Sequence, residues 1–598
     1  MTASLLAAAT PAAPDGAGQA GRDPSRPETV CEPSHLDSPY IPVDSWVYPA
    51  MMRLYSLGFV DTMYLGMRPW TRSSVERMIE EAGAHIEDAD DSAAKDEAEG
   101  IYESVNRELN PEMVGPCGIL QGKTRIESVY TVVRGISGTP LDDSFHLGQT
   151  VVNDYGRPLQ NGFNNYSGAS GYVGAGRFLI YARGEFQGSP SGTGYSAGLA
   201  SALSAVDVIP FLNPVTGLPY HQATIPLGPL SSVTRVRWVE AYASAHVLNH
   251  EISFGKQDEW LGPGLGAGMA YSNNAENFYT FRINRIEPLH VPGLSYITGP
   301  FRYEFLIGGL HGHTYVPNPL YPTNGQANVY NPGDPWMHLE KVSFRPTQNV
   351  EIGFERSVIW GGQGHGPITI HSFLKSFFSL SSPSITVKQG RDDPGARFGA
   401  FDASYRLPWM RKWLTFYVDS EAHDEISPPD APRRSSYRPG LYLSHVPGVP
   451  KLDVRAEYAN TDPSTNDSQG GHFEYWETIQ RQGYTNNGQL MGDWVGREGK
   501  GGQGWLTYHL SGNEWIQVGV RNQKVSKDFI PGGTTLNDIN FQVLKRIGRD
   551  FQIDGRFAYE QWKAPIFPAG IPLYPASQQN VTTTTIQLTW FPERKVSF

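Results

Sequence analysis

The stretch YVGAGRFLIYARGEFQ, residues 172–187, carries the pattern on which the fold prediction rests. Small and apolar side chains occupy its even positions, while Arg177, Arg183 and Glu185 are among the polar side chains at its odd positions. A period of two is typical of a β-strand with one apolar and one polar face. A strand of 16 residues would exceed the usual globular length. It would also suffice to cross a membrane, which takes roughly 9–11 tilted residues.

The same alternation of rings and charges recurs along the chain. It is clearest in residues 298–311, 450–460 and 550–562. Rows of Arg and Glu on one face do not suit the apolar inner face of a soluble sandwich, and they favour a barrel with an apolar outside and a polar lumen. We predict an all-β fold, a large antiparallel transmembrane β-barrel of about 16 to 18 strands over residues 119–598.

Two kinds of connection separate the predicted strands. Short connections near Asn249, Pro346, Pro408 and Gly512 are expected to be periplasmic turns, and long Gly-, Pro- and Asn-rich stretches to be extracellular loops. The long stretches are residues 186–230, 311–335, 361–397 and 461–503.

The N-terminal part lacks the period of two. Residues 1–20 contain a short apolar core and a small-residue site, which indicate part of an export signal, and residues 21–40 are a polar linker. Residues 41–118 show the helical period, and we expect a small periplasmic helical domain there. Cys31 and Cys117 bracket this domain, and in an oxidising periplasm they either form a disulfide or remain unpaired thiols.

Helix signals divide this domain into three segments. Asp44 and Ser45 are placed to cap a first helix, which Gly58 would end. Ser73 and Glu76 have the spacing of a capping box at the start of a second helix. A third, acidic helix is expected over residues 88–109.

Composition narrows the class of protein. The net charge of −12 and the lack of a long basic run disfavour a nucleic-acid partner. No run of 18 apolar residues is present in the sequence, so no transmembrane helix is predicted. A barrel exposes apolar side chains only at every second residue, so the mean hydropathy of −0.38 is compatible with a membrane protein.

Several stretches together resemble the Wzi family of capsule-assembly outer-membrane proteins. They are YIPVDSWVYP (40–49), GMRPWT (66–71), FGKQ (254–257), WLGPG (260–264), SNNA (272–275), DPG (393–395), YRLP (405–408), GDWVGRE (492–498) and KDFIPGG (527–533). The resemblance implies a barrel of roughly eighteen strands with a helical bundle on its periplasmic side. It also implies a non-enzymatic role without a cofactor: retaining capsular or other extracellular polysaccharide at the cell surface, among outer-membrane lipids.

Glycan binding combines flat apolar rings with carboxylates, amides and Arg side chains that bind hydroxyl groups. Two stretches supply such a mixture, and the alternative for any single ring is an aromatic girdle or loop packing. The candidate glycan-binding residues are Asp258, Trp260, Asn273 and Asn274 in the first stretch, and Tyr484, Asn486, Asn487, Asp493, Trp494 and Arg497 in the second.

Other functions remain open at this point. The charged inner face would equally suit a porin or a substrate-specific channel. GYSAG, residues 194–198, matches the nucleophile pattern of hydrolases but lacks its strand and helix context. His311 and His313 lack a third ligand for a metal site, so no metal is expected. The chain ends in Phe598, a common assembly cue, so the barrel-assembly machinery is an expected partner.

Overall fold

The computed structural model describes most of the chain. The described residues are 37–109, 122–317, 329–330, 334–362, 365–379, 385–388, 392–423, 435–462, 470–567, 578–592 and 595–597. The export-signal segment 1–20, the cysteines Cys31 and Cys117, and Phe598 lie outside them. The export signal, the disulfide and the assembly cue therefore stay predictions.

Eighteen antiparallel strands close into a barrel in which each strand pairs with its neighbours along the chain. The last strand pairs with the first, Trp590 lying opposite Val129, and a short segment, Lys595–Ser597, extends that pairing. The fold prediction is confirmed. The strands are β1 (Gly122–Ser137), β2 (Gly162–Ala175), β3 (Phe178–Ser189), β4 (Val233–Val247), β5 (His250–Lys256), β6 (Tyr279–Arg285), β7 (Phe301–Gly309), β8 (Trp336–Thr347), β9 (Val350–Trp360), β10 (Ala396–Arg406), β11 (Leu414–His423), β12 (Ser436–Leu443), β13 (Leu452–Asn460), β14 (Gly499–Ser511), β15 (Glu514–Val525), β16 (Thr534–Ile547), β17 (Phe551–Lys563) and β18 (Gln579–Trp590).

Alternate side chains of each strand face opposite sides of the barrel wall. In β3, Ile180 is 65% exposed on the outside, whereas Arg183 and Glu185 are buried on the lumen side. In β7, Arg302 and Glu304 are likewise buried, as the alternation over residues 298–311 predicts. The wall therefore has an apolar outer face and a charged inner face, which is the polarity of a barrel in a membrane.

The single strand predicted at residues 172–187 is wrong, because this stretch is a hairpin. β2 ends at Ala175 and β3 begins at Phe178, so Tyr172 lies opposite Tyr181. Gly176 occupies the left-handed region at φ +56, which glycine adopts without strain. A two-residue turn leaves the alternation of small and large side chains unbroken, so periodicity alone does not show where the chain reverses.

The two ends of the barrel carry different connections. At the short-turn end these are residues 176–177, 248–249, 286–300, 348–349, 407–413, 444–451, 512–513 and 548–550. At the long-loop end they are residues 138–161, 190–232, 257–278, 310–335, 361–395, 424–435, 461–498, 526–533 and 564–578. The turns predicted near Asn249, Pro346, Pro408 and Gly512 all fall at the short-turn end, and the four predicted long loops at the other.

Three helices lie at the short-turn end, α1 (Val47–Leu57), α2 (Arg72–Glu87) and α3 (Ala93–Leu109). Further helices occur in the connections, α4 (Ala197–Val206), α5 (Ser295–Thr298), α6 (Ile370–Phe378), α7 (Ile385–Lys388) and a 3-10 turn (Pro408–Met410). In the part of the chain that the structure describes, no helix combines the length and apolarity needed to span a membrane.

Two of the predicted helix caps are wrong, and one helix end is as expected. Gly58 ends α1 in the left-handed region. The side chain that caps α2 is Thr71, which accepts a hydrogen bond from the Ser74 backbone, and not Ser73. Asp44 does not cap α1, because its carboxylate pairs with Arg183 of β3 at 2.7 Å. The hydroxyl of Ser45, the other predicted cap, does accept the backbone N–H of Val47, the first residue of α1, at 3.3 Å.

Buried arginines bind the helical domain to the inner wall of the barrel. Arg53 of α1 is fully buried and contacts Glu97 of α3 at 2.7 Å and Asp453 of β13 at 3.2 Å. From the wall, Arg406 of β10 contacts Asp61, just beyond α1, at 2.6 Å. The helices are therefore fixed inside the mouth of the barrel.

The segment before α1 also enters the lumen. Tyr40 is buried and its backbone N–H donates to the hydroxyl of Tyr242 on β4 at 3.0 Å. Val43 donates its backbone N–H to Asp258 from the long-loop end, at 2.8 Å. The described end of the predicted linker, residues 37–40, is thus packed within the barrel.

We predict that Arg53→Ala lowers the free energy of unfolding by about 3–5 kcal/mol, because it leaves the buried Glu97 carboxylate without its cation and leaves Asp453 with His509 as its ion-pair partner. Urea unfolding of the full chain in detergent micelles measures this change. The matched control is Lys95→Ala on α3, whose partner Asp91 is exposed, with an expected change below about 0.5 kcal/mol. Equal losses in the two variants would contradict the prediction.

Candidate functional site

Three connections of the long-loop end fold into the lumen, and we call them the inner loops: residues 138–161, 257–278 and 470–498. Glu457 on the wall accepts hydrogen bonds from the backbones of Leu265 and Gly266, at 2.7 and 3.0 Å. Asp419 on β11 accepts one from Met269 at 2.6 Å. Wall carboxylates thus hold the backbone of an inner loop, and the lumen is occupied from both ends.

Asp258 and Trp260 connect an inner loop to the helical domain. Besides Val43, the Asp258 carboxylate binds the hydroxyl of Tyr155 at 2.9 Å. Trp260 lies opposite Arg68 in a short two-stranded sheet, and the Arg68 guanidinium lies over the Trp260 ring at 5.7 Å from its centroid. Both candidate residues are buried, with protein groups as their partners.

Asn273 and Asn274 join the three inner loops to one another. The Asn274 side chain accepts from the Asn153 backbone at 3.0 Å and donates to the Leu490 carbonyl at 3.1 Å. The backbone carbonyl of Asn273 accepts from Tyr155 at 2.8 Å. The two stretches that the sequence proposed as separate glycan sites therefore meet inside the barrel.

In the second stretch, Asp493 and Trp494 surround Arg438 of β12. The Arg438 guanidinium pairs with Asp493 and with Glu457, each at 2.7 Å, and lies 5.8 Å from the Trp494 ring centroid. Tyr484, also buried, donates its hydroxyl to Ser357 of β9 at 3.0 Å. These side chains bind the third inner loop to the wall.

Arg497 belongs to a buried ion network at the long-loop end. It pairs with Asp207, the residue after α4, at 2.7 Å. His146 lies 2.8 Å from Asp207 and 2.9 Å from Asp143. Although burial opposes protonation of the ring, the two carboxylates raise the pKa of His146 to about 9. His146 of the first inner loop and Arg497 of the third thus meet at Asp207, beside α4.

All eight residues proposed as the main glycan contacts are buried, and six of them form side-chain hydrogen bonds or ion pairs with protein groups. The side-chain oxygen of Asn273 and the indole N–H of Trp260 are buried without a hydrogen-bond partner among the described residues. The structure brings the eight residues together inside the lumen, where they pack against one another and against the wall. From the sequence alone, residues that pack in this way cannot be distinguished from residues that line a ligand site. Their direct contact with a glycan stays a prediction. They are Asp258, Trp260, Asn273, Asn274, Tyr484, Asp493, Trp494 and Arg497.

A polar group at the long-loop end consists of Lys256, Glu276, His311, Asp334 and Asn487, and we call it the rim cluster. Exposed Asn487 donates its side-chain amide to Glu276 at 3.0 Å. Glu276 also pairs with Lys256 at 2.5 Å, and His311 lies 3.2 Å from Asp334. The hydrogen bond to Asp334 raises the pKa of His311. The cluster offers cationic, anionic and amide groups side by side.

Sequence reasoning included Asn487 but missed Lys256, Glu276 and Asp334. Lys256 is the last residue of β5, and Glu276 and Asp334 belong to two separate connections. Lys256 lies in the FGKQ stretch, which entered the sequence analysis only as part of the family resemblance, and His311 was considered there only as half of a histidine pair without a third metal ligand. His313 is instead buried, with its Nε2 3.0 Å from the Thr485 carbonyl oxygen.

Within the described residues, Asp61, Glu81 and His85 are grouped closely enough to suggest a metal site. Their oxygens have protein partners, since Asp61 pairs with Arg406 and Glu81 accepts the Asp61 backbone at 2.8 Å. The GYSAG pattern is followed directly by a helix, contrary to the sequence expectation: Ser196 caps α4, accepting from the Leu199 backbone at 3.2 Å. Neither group is arranged as a catalytic centre.

The His146 network predicts a pH-dependent junction of the inner loops. A pKa raised above its ordinary value of about 6.5 stabilises the folded loops fully below that value. The contribution, on the order of 3 kcal/mol, is lost as the pH rises through about 9. We expect hydrogen exchange of residues 138–161 to accelerate between pH 7 and 10, beyond the intrinsic rate, in the wild type.

In His146→Gln this additional pH dependence should disappear, with fast exchange at both pH values. His221→Gln, at an exposed histidine of the same end, is the matched control and should behave like the wild type. A wild-type protein whose inner loops exchange equally at pH 7 and 10, after intrinsic correction, would overturn the prediction.

Comparison with known proteins agrees with this architecture. Residues 132–570 match the family described as capsule assembly protein Wzi. A Klebsiella pneumoniae protein, described as an uncharacterized 55.8 kDa protein in the cps region, is 24% identical over 199 residues, or 33% of this chain. The match spans about a third (35%) of that relative's length.

The solved structure of Wzi from Escherichia coli has the same fold. It is described as an outer-membrane protein involved in group 1 capsule assembly and as a carbohydrate-binding β-barrel. The two chains share 15% identity with a TM-score of 0.59, over 92% of this chain and 98% of that one. Because the family match extends over well more than half of its residues, this outer-membrane β-barrel belongs to the Wzi family of capsule assembly proteins.

Proposed function

We propose that this protein is a non-enzymatic anchor that binds capsular or other extracellular polysaccharide at its long-loop end and retains it at the cell surface. The observation that carries the proposal is the occupation of the lumen from both ends, by α1–α3 and by the inner loops. Loops fixed in this way form a rigid surface, and a rigid polar surface loses little entropy when it binds a polymer.

The orientation follows from the general form of outer-membrane barrels, in which short turns face the periplasm and long loops face outward. We propose on this basis that α1–α3 lie on the periplasmic side. The rim cluster then faces outward, where surface polysaccharide is located.

We propose that the rim cluster contacts the glycan and that the eight buried candidates act by holding the loops beneath it. Sugar hydroxyl groups both donate and accept, so adjacent amide, carboxylate and cationic groups match them. Asn486 connects the two levels, because its buried side chain accepts the His311 backbone N–H at 2.8 Å and donates to the Glu276 carbonyl at 2.7 Å.

Retention of capsule tests the proposal. Expressed in a capsulated host that lacks its own anchor, the wild type should keep the polysaccharide with the cells, whereas the double variant Asn487→Ala/His311→Ala should release it into the medium. Loss of the two polar side chains should weaken direct binding of purified protein to that polysaccharide about tenfold. Thr478→Ala, an exposed position on the same inner loop, is the control. Shedding in cells that carry the wild type would remove the main support.

A channel is the second candidate, since the lumen wall is charged and two cavities of about 310 and 470 Å³ lie between the helices and the inner loops. Planar bilayers distinguish the two functions. A fixed anchor should show little steady current at constant voltage, whereas a channel should show stable open steps comparable with those of a porin control. Stable steps in the wild type would favour the channel.

A further inference from the structure

Helix α6 (Ile370–Phe378) lies outside the barrel, in contrast to the inner loops. It belongs to the connection between β9 and β10 and packs on outward-facing side chains. Phe305 of β7 contacts the rings of Phe373 and Phe377, with centroids 6.2 and 6.3 Å away. The neighbours of Phe305 along the strand include Glu304, which is buried on the lumen side. The helix therefore covers a part of the wall that would otherwise face lipid.

The wall beneath α6 is polar on its outer face. Arg356 of β9 lies between two inward-facing residues, Glu355 and Ser357, and donates to the carbonyls of Ser376 and Phe377 at the end of the helix. A cation at a helix C-terminus is favourable because carbonyl groups there lack partners within the helix. The helix thus supplies acceptors to a charge that acyl chains could not accommodate.

A second outward-facing polar residue is covered in the same way. His338 of β8 is fully buried, with its Nε2 2.9 Å from the Ser376 hydroxyl, and its ring lies 5.5 Å from that of Phe373. The polar groups of this wall segment are therefore directed at the helix.

The exposed side of α6 is divided into two rows. Ile370, Leu374 and Phe378, four residues apart, are 79%, 45% and 68% exposed. His371 and Lys375 form the adjacent row and are also exposed. Successive residues are about 100° apart around a helix. One sector of α6 therefore contacts the wall, the next is apolar and the third is polar.

We propose that α6 lies in the outer-leaflet interface of the membrane, with Ile370, Leu374 and Phe378 among the acyl chains and His371 and Lys375 at the level of the lipid headgroups. The apolar row continues the lipid-facing surface of the same strands, on which Val342 and Phe354 are exposed. A helix with an apolar row, a polar row and its long axis on the barrel wall has the form of an interfacial amphipathic helix.

Spin labels on the two rows test this proposal. In a full-length Cys31→Ser/Cys117→Ser background, Leu374→Cys and Lys375→Cys are labelled separately and reconstituted in phosphatidylcholine vesicles. Power saturation compares access of apolar oxygen with access of a water-soluble nickel chelate. We expect the label at 374 to be reached mainly by oxygen and the label at 375 mainly by the chelate, although both side chains are exposed.

Two reference positions calibrate the comparison. Val520→Cys lies on the apolar outer wall and should report lipid, and Leu212→Cys lies in a long loop and should report water; both side chains are about half exposed. The heat-dependent electrophoretic shift of each labelled protein verifies that the barrel is folded. Chelate access at 374 equal to that at 212 would place α6 in water and overturn the proposal. Exclusion of both reagents at 374 would also overturn it, because a protein partner would then cover the row.

This inference depends on the membrane location of the barrel and not on polysaccharide binding. The spin-label measurement uses vesicles without glycan, so its failure would leave the anchor function untouched. Conversely, capsule shedding would not alter the reagent access of α6.

Discussion

Charges on the lumen wall must be paired, because removal of an ion from water costs several kcal/mol unless an opposite charge and hydrogen bonds replace the solvent. The wall supplies all the partners of some charges and only part of the partners of others. Lys341 of β8 is satisfied by two other strands, at 3.4 Å from Glu355 and 2.6 Å from Asp402. Arg438 needs Asp493 from an inner loop in addition to Glu457. Because the barrel wall is charged on the inside, its buried charges are stabilised by chain segments that fold into the lumen and supply the remaining partners.

The same constraint operates at the opposite mouth. Arg53 of the helical domain pairs with Asp453 on the wall, and Arg406 on the wall pairs with Asp61 of the helical domain. Withdrawal of the helices or the inner loops would leave several buried ions without partners at once. The barrel contents thus behave as part of the wall, and this favours a fixed binding surface over a pore that opens readily.

Sequence periodicity predicted the barrel because the two faces of each strand differ in chemistry, as Arg302 and Glu304 against Phe305 show. It could not locate the reversal at Gly176, since a tight hairpin preserves alternation. It also could not assign Asp493 or Trp494, because a carboxylate beside a ring looks the same whether its partner is a sugar or Arg438. Residues 361–397 were predicted to form a loop, and the sequence analysis did not identify the helix α6 within them. The roles of Asp493 and Trp494 depend on Arg438, a partner from a distant segment that the local sequence does not reveal.

The connections of the long-loop end place polar groups in three different surroundings: the lumen, water and the lipid-facing wall. The inner loops satisfy charges that face the lumen, the rim cluster stays in contact with water, and α6 covers Arg356 and His338 on the side that faces lipid. In the lumen and on the lipid-facing wall, the chain supplies the hydrogen-bond acceptors and opposite charges that the local medium lacks. The connections at the two ends differ in length for this reason. The short-turn end has α1–α3 to satisfy its buried charges, whereas the long-loop end must do so with its own connections.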